Sequence, residues 1–165
     1  MKLEQRIQQP VVKVGADDDL HRAAQLLWEH DCGALVVVDI EGKLVGMLTD
    51  RDICMAAWSR GLPLSSIPVR TAMATHVVRC RASDSDEDAA RLMASHQVRR
   101  LPIVDADDRP LGLVALADLA RAAATARDPA AARRITETLA AVSRRREAGT
   151  AAKAVRKTAA NSAGG

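Results

Sequence analysis

Apolar and polar positions along the chain follow one pattern twice, 66 residues apart. A short β-prone piece (residues 11–14, then 77–80) leads into a cluster of helix-capping residues, Asp17-Asp18-Asp19 or Asp84-Ser85-Asp86. Acidic side chains there accept from the free N–H groups of a helix start and suit its positive end. Ala23, Ala24 and Leu27 then recur at helical spacing, as do Ala89, Ala90 and Met93. A near-continuous apolar run follows, over residues 34–38 or 101–104, and reads as a buried strand. After a polar turn (39–42; 105–108) comes a second strand, 43–48 or 110–114. A second helix closes each copy, at roughly 50–60 and 116–126.

The two copies align without a gap. Between residues 12–53 and 78–119, 12 of 42 positions are identical, among them Ala23/Ala89, His30/His96, Gly46/Gly112 and Asp52/Asp118. Chance would match about two or three, so the chain is an internal duplication. The expected class is α+β (α/β): two repeats of β-α-β-β-α order, spanning 7–66 and 67–126. One copy holds too small a core to stand comfortably alone, so the two should pack together.

Three segments carry a resemblance. Gly33-Ala34-Leu35-Val36-Val37-Val38-Asp39 is followed by Leu44-Val45-Gly46-Met47-Leu48-Thr49-Asp50-Arg51-Asp52-Ile53, and the second copy supplies His96-Gln97-Val98-Arg99-Arg100-Leu101-Pro102-Ile103-Val104-Asp105. Over about residues 7–125 the chain resembles the tandem CBS-domain (Bateman module) family, and within it the small bacterial two-repeat proteins of the hypoxic response type. The resemblance implies repeats related by a pseudo-twofold axis, a regulatory rather than catalytic role, cytoplasmic location and assembly as a flat, disc-like homodimer.

Relatives that bind adenosine nucleotides use Gly-x-x-Thr-x-x-Asp at a strand-to-helix turn, and Gly46, Thr49 and Asp52 match every defined position. By resemblance Asp52 would meet ribose hydroxyls and Thr49 would sit near phosphates. Glycine allows close backbone approach and a helix start offers N–H groups to an anion. Thr49-x-x-Asp52 is equally close to a capping box, which alone would explain both residues. The second copy has Ala115 in place of the hydroxyl and keeps Asp118. Arg99 and Arg100 stand where the first copy has Gly33 and Ala34, and guanidinium groups suit phosphate. A cross-repeat site would join Thr49, Arg51 and Asp52 with Arg99 and Arg100; local ion pairing of the two arginines is the competing account. No cofactor is required on this reading, and AMP, ADP, ATP and S-adenosylmethionine are the candidate ligands. The alternatives are a ligand-free scaffold made under stress, acting on an unidentified protein partner, and a weak nucleic-acid binder.

Composition narrows the classes further. The chain has two Trp and neither Phe nor Tyr, so it lacks the stacking platforms of single-stranded nucleic-acid binders. No apolar run is long enough to span a bilayer, and the first residues lack signal-peptide order. Residues 127–165 hold nine basic and three acidic side chains, +6, so the rest carries −3 of the formal +3. A basic tail touches nucleic acid or anionic lipid through charge, or serves solubility. Residues 129–146 read as an amphipathic helix with Ile135, Leu139 and Val142 as its apolar stripe, and 147–165 as a disordered tail. Cys32, Cys54 and Cys80 have no paired spacing and are expected as buried free thiols, with a Cys32–Cys80 disulfide the alternative. His30 and His96 recur at helix ends, where they can meet the last carbonyls; no metal-ligand pattern, nucleophile–base pairing or phosphate loop accompanies them.

Overall fold

A computed structural model of the chain describes residues 1–7 and 11–144. The first repeat comprises β1 (Lys13–Gly15), α1 (Leu20–Glu29), β2 (Ala34–Val38), β3 (Leu44–Thr49) and α2 (Asp50–Arg60). The second comprises β4 (Cys80–Arg81), α3 (Asp86–His96), β5 (Arg100–Val104), β6 (Pro110–Ala115) and α4 (Leu116–Ala126), and α5 (Pro129–Val142) follows. Each repeat builds one three-stranded sheet, ordered β1-β2-β3 and β4-β5-β6, with a parallel then an antiparallel pairing. This is the duplicated β-α-β-β-α order expected from the sequence.

Local chemistry explains the starts. Asp19 caps α1 by accepting from Arg22 N at 2.8 Å. In the second copy Ser85, not its acidic neighbours, is the cap, and Asp88 closes the box by accepting from Ser85 N. Leu20, Ala23, Leu26 and Leu27 bury one face of α1 against Leu35, Val37 and Leu48. Ala89, Ala90 and Met93 do the same for α3 against Leu101, Ile103 and Val114. A third cluster of Val36, Leu44 and Val104 joins the two sheets, and Leu44 N donates to Asp108 O at 2.9 Å. The counterpart of Leu44 is Pro110, which has no N–H to return that bond.

The repeats also trade covering segments. Residues 1–7 pack on the second repeat, and the linker at 67–74 packs on the first. Leu3 N donates to Asp84 O, and Val69 N, 66 residues on, donates to Asp18 O, both at 2.8 Å. Isolated bridges join Lys2 to Ser85 and Pro68 to Asp19. Leu3 and Val69 are both fully buried. The 66-residue offset thus extends back through the N-terminal segment, whose three-residue pairing is too short to read as a repeat. Arg6 fastens it, donating from Nε and Nη2 to the two oxygens of Asp86 at 2.6 and 2.7 Å.

Three expectations need correction. The inward row of α5 is Ile135, Thr138 and Val142, the buried Thr138 hydroxyl donating to Arg134 O; Leu139 is half exposed, because the helix turns its 135/138/142 row toward α3 and α4. The helix ends at Val142, and residues 145 and 146 of the expected helix, with the whole of 147–165, lie outside the described residues. The three cysteines are free but not uniformly buried: Cys80 is, Cys32 is partly so, and Cys54 stands exposed on the outer side of α2. Cys32 and Cys80 belong to different core clusters, which rules out the disulfide. Burial pushes the Cys80 thiol up to about 12.

Candidate functional site

The turn from β3 into α2 is where the first repeat could hold a ligand. Thr49 Oγ1 and Thr49 N donate to Asp52 Oδ2 at 2.7 and 2.9 Å, and Asp52 N donates back to Thr49 Oγ1 at 3.2 Å. That is a complete capping box, so the helix start alone gives both side chains employment. It uses Oδ2 and leaves Oδ1 of Asp52 without a hydrogen bond among the described residues. Arg51 is exposed on the first turn beside Asp50, whose Oδ1 accepts from Arg51 N.

Gly46 has a reason that the sequence did not disclose. A Cβ there would lie 2.5 Å from Met73 Sδ and 3.1 Å from Ala74 O, because the linker bridges to β3 at Met47 and Ala74. The close approach that glycine permits is to the chain's own backbone. Gly112 is flanked in the same way by Ile7.

Arg99 immediately precedes β5, Arg100 opens it, and both are exposed. The Arg100 guanidinium reaches the first repeat: Nη2 lies 3.1 Å from where a Cβ on Gly33 would stand, and Asp50 Oδ2 lies 3.9 Å from the same point. Arg100 is thus brought toward Asp50, the first residue of α2, and Gly33 leaves room for it. The carbonyl of Arg99 accepts from Leu116 N, which sets Arg99 at the start of α4. The two helix starts and the two arginines therefore gather at the seam between repeats. Asp118 sits in the first turn of α4. Its Oδ2 accepts from Ala115 N at 2.8 Å, the half of a capping box that survives without a hydroxyl. It faces a hollow of about 530 Å³ shared with Met1, Gln5, Arg6 and Arg121. That hollow escaped the sequence reading because one wall is the exchanged N-terminal segment, more than a hundred residues away along the chain.

Two tandem three-stranded units, each closed by a strand-to-helix turn, define a class of duplicated α/β modules, and comparison with known proteins agrees. The family described as CBS domain matches residues 5–59 and 69–125. The chain belongs to the CBS-domain family, as a pair of its domains. It is 44% identical over 110 residues to the CBS domain-containing protein YhcV of Bacillus subtilis, covering 67% of this chain and 76% of that protein. To hypoxic response protein 1 of Mycobacterium tuberculosis it is 36% identical over 111 residues, covering 67% and 77%. A crystal structure of Hypoxic Response Protein I with two coordinated zinc ions superposes with a TM-score of 0.66 at 33% identity, covering 73% of this chain and 98% of that one. Among the described residues here no three His, Cys, Asp or Glu side chains gather as a metal site. The CBS domain pair of MJ0100, solved with 5′-methylthioadenosine and S-adenosyl-L-methionine, shares the fold with a TM-score of 0.68 at 23% identity, covering 76% and 98%. No described helix is long and apolar enough to cross a membrane.

Proposed function

We propose that this chain is a non-catalytic, cytoplasmic regulatory module that takes an adenosine-type nucleotide at the seam between its repeats. Binding is signalled through its homodimeric assembly or to a protein partner. The observation that supports the reading is the complete Gly46-x-x-Thr49-x-x-Asp52 motif, with Arg100 of the other repeat reaching toward Gly33 and Asp50. Asp52 Oδ1 accepts from a ribose hydroxyl, while Thr49 and the N–H groups of α2 face phosphate. Arg51, Arg99 and Arg100 supply positive charge suited to forked contacts with phosphate oxygens. Asp118, in its own hollow beside Arg6, offers a second carboxylate, one whose Oδ1 already accepts from Arg121. AMP, ADP, ATP and S-adenosylmethionine are the compounds to try, the last because a pair of the same fold holds it.

Calorimetric titration of the full chain with these four compounds, beside Asp52→Ala and Arg100→Ala, tests the reading. Saturable heat is expected for at least one compound, lost in Asp52→Ala and weakened about tenfold or more in Arg100→Ala. Absence of heat from folded protein with all four would end the nucleotide reading. The second reading, a ligand-free scaffold, is favoured by two particulars: the capping box already employs Thr49 and Asp52, and Gly46 is explained by Met73.

A further inference from the structure

The two repeats differ in what covers their helices. On the second, α5 packs against both α3 and α4, and Val142 joins Met93, Leu116 and Leu119 in one apolar cluster. The last turn of α5 rests on the end of α3, where Gln97 Nε2 donates to Ala141 O at 3.3 Å. At the 66-residue offset the counterparts of Met93, Leu119, Gln97 and Leu116 are Leu27, Ile53, Asp31 and Asp50. Those four line a hollow of about 450 Å³ in the first repeat, together with Trp28 and Cys32. The place that α5 covers on one repeat is thus open on the other, and two neutral side chains have become carboxylates. Neither carboxylate forms an ion pair among the described residues.

The sequence beyond α5 repeats part of it. Residues 151–160 match 131–140 at an offset of 20: four of ten positions are identical, Lys153 stands for Arg133, and Val155 for Ile135. Ile135 and Thr138 belong to the inward row of α5, and Val155 and Thr158 occupy the matching positions. The differences between the segments follow the differences between the repeats. Where α5 has Thr136 and Glu137 the later segment has Arg156 and Lys157, just as Gln97 and Leu116 give way to Asp31 and Asp50. Arg134, whose Nη1 donates to Glu87 Oε1 at 2.6 Å, is replaced by Ala154, and the counterpart of Glu87 is His21. Val155 is the one large apolar side chain in 145–165, a stretch with five basic residues and one acidic.

We infer that residues 151–160 dock in cis on the first repeat, with Val155 entering the Leu27–Ile53 hollow and Arg156 and Lys157 meeting Asp31 and Asp50. Opposite charge selects this segment and fixes its direction, while the valine supplies the apolar contact. The chain can reach. Arg100, three residues beyond Gln97, brings its guanidinium to Gly33 on the lip of the hollow, so only that short span separates the last turn of α5 from it. Six residues, 145–150, can cover about 20 Å when extended. A tethered segment meets its site at an effective concentration of about millimolar, so a weak contact suffices. Each repeat is then covered by its own version of one segment. The inference stands apart from the nucleotide reading and from the homodimer.

The test is disulfide trapping in the full chain, with Cys54→Ser to remove the exposed thiol and Val155→Cys to present one to Cys32 under oxidised glutathione. Ala163→Cys, eight residues further on, is the control, and circular dichroism checks folding. Peptide mapping reads which positions are joined, and the mass of the product reads whether one chain or two are involved. A bond to Cys32 within one chain should form about tenfold or more faster from Val155→Cys than from Ala163→Cys. Adding Asp31→Asn and Asp50→Asn should slow it about threefold or more. Equal rates from the two positions overturn the proposal, as does a rate unmoved by the two asparagines. A bond that joins two chains also overturns it, since the hollow then takes the tail of another copy. If neither position reacts, acrylamide quenching of Trp28 in a Trp58→Phe background decides. Val155→Asp should leave Trp28 more strongly quenched than its parent, and no difference overturns the proposal.

Discussion

A methyl group on Gly46 would have to displace the Met73 thioether and press on the Ala74 carbonyl. Gly46→Ala is therefore expected to lower unfolding free energy by about 1–3 kcal/mol with no ligand present. Gly112→Ala should cost less, because its nearest neighbour is Ile7 Cγ1 at 3.2 Å, an end that can move. Denaturant melts of the two variants check this, and a Gly46→Ala midpoint equal to wild type would contradict it. At this scale the sequence disclosed which residues matter more readily than why. Thr49 and Asp52 were legible as a motif and as a cap, and the geometry shows the cap. Gly46 was readable only as a place of close approach, since the atoms that approach it belong to a linker with no periodicity. The charge of Arg100 was visible as a difference between copies. Its neighbour Gly33, 67 residues earlier, was not, because pseudo-twofold packing leaves no trace in spacing.

Among elements, α2 was readable to its ends because Thr49 and Asp52 cap its start, and α4 because it repeats α2 at the 66-residue offset. The N-terminal segment was not, since its partners lie about eighty residues away and its one buried anchor is Leu3. Its fastening makes stability depend on pH. Burial alone would raise the Asp86 carboxyl, but the paired bonds from Arg6 and the nearby terminal amine outweigh burial and hold it below the usual carboxylate range. A carboxyl lowered in the folded state stabilises above its unfolded value, about 3.9, and that contribution is lost as pH falls through the folded value. Asp86→Asn should thus cost about 1–2 kcal/mol at pH 7, with the gap to wild type closing as pH falls below the unfolded value and through the lower folded one. Thermal melts across that range read the effect directly. A gap that stays constant down to acid pH would remove the ion pair as its source.

For the whole molecule, the duplication was written in the sequence and the exchange of covers was not. Because each repeat is finished by a segment that precedes the other, the two halves should unfold together. Calorimetry of the wild type is expected to give one transition with matching calorimetric and van't Hoff enthalpies. Removing residues 1–6 exposes the core around Cys80, Met93 and Leu101, so the second repeat should then melt first. Two separate transitions in the intact chain would show that the exchanged segments do not couple the halves.

The same exchange bears on how such a chain could arise. A polypeptide with a single 66-residue unit would carry a covering arm that fits another unit better than its own body. Two such polypeptides would complete each other by trading arms, at a strength that falls with dilution. Joining them end to end turns that encounter into an intramolecular one, with an effective concentration of about millimolar whatever the abundance of the protein. The tandem chain is, in that sense, an arm-swapped dimer made permanent by a peptide bond.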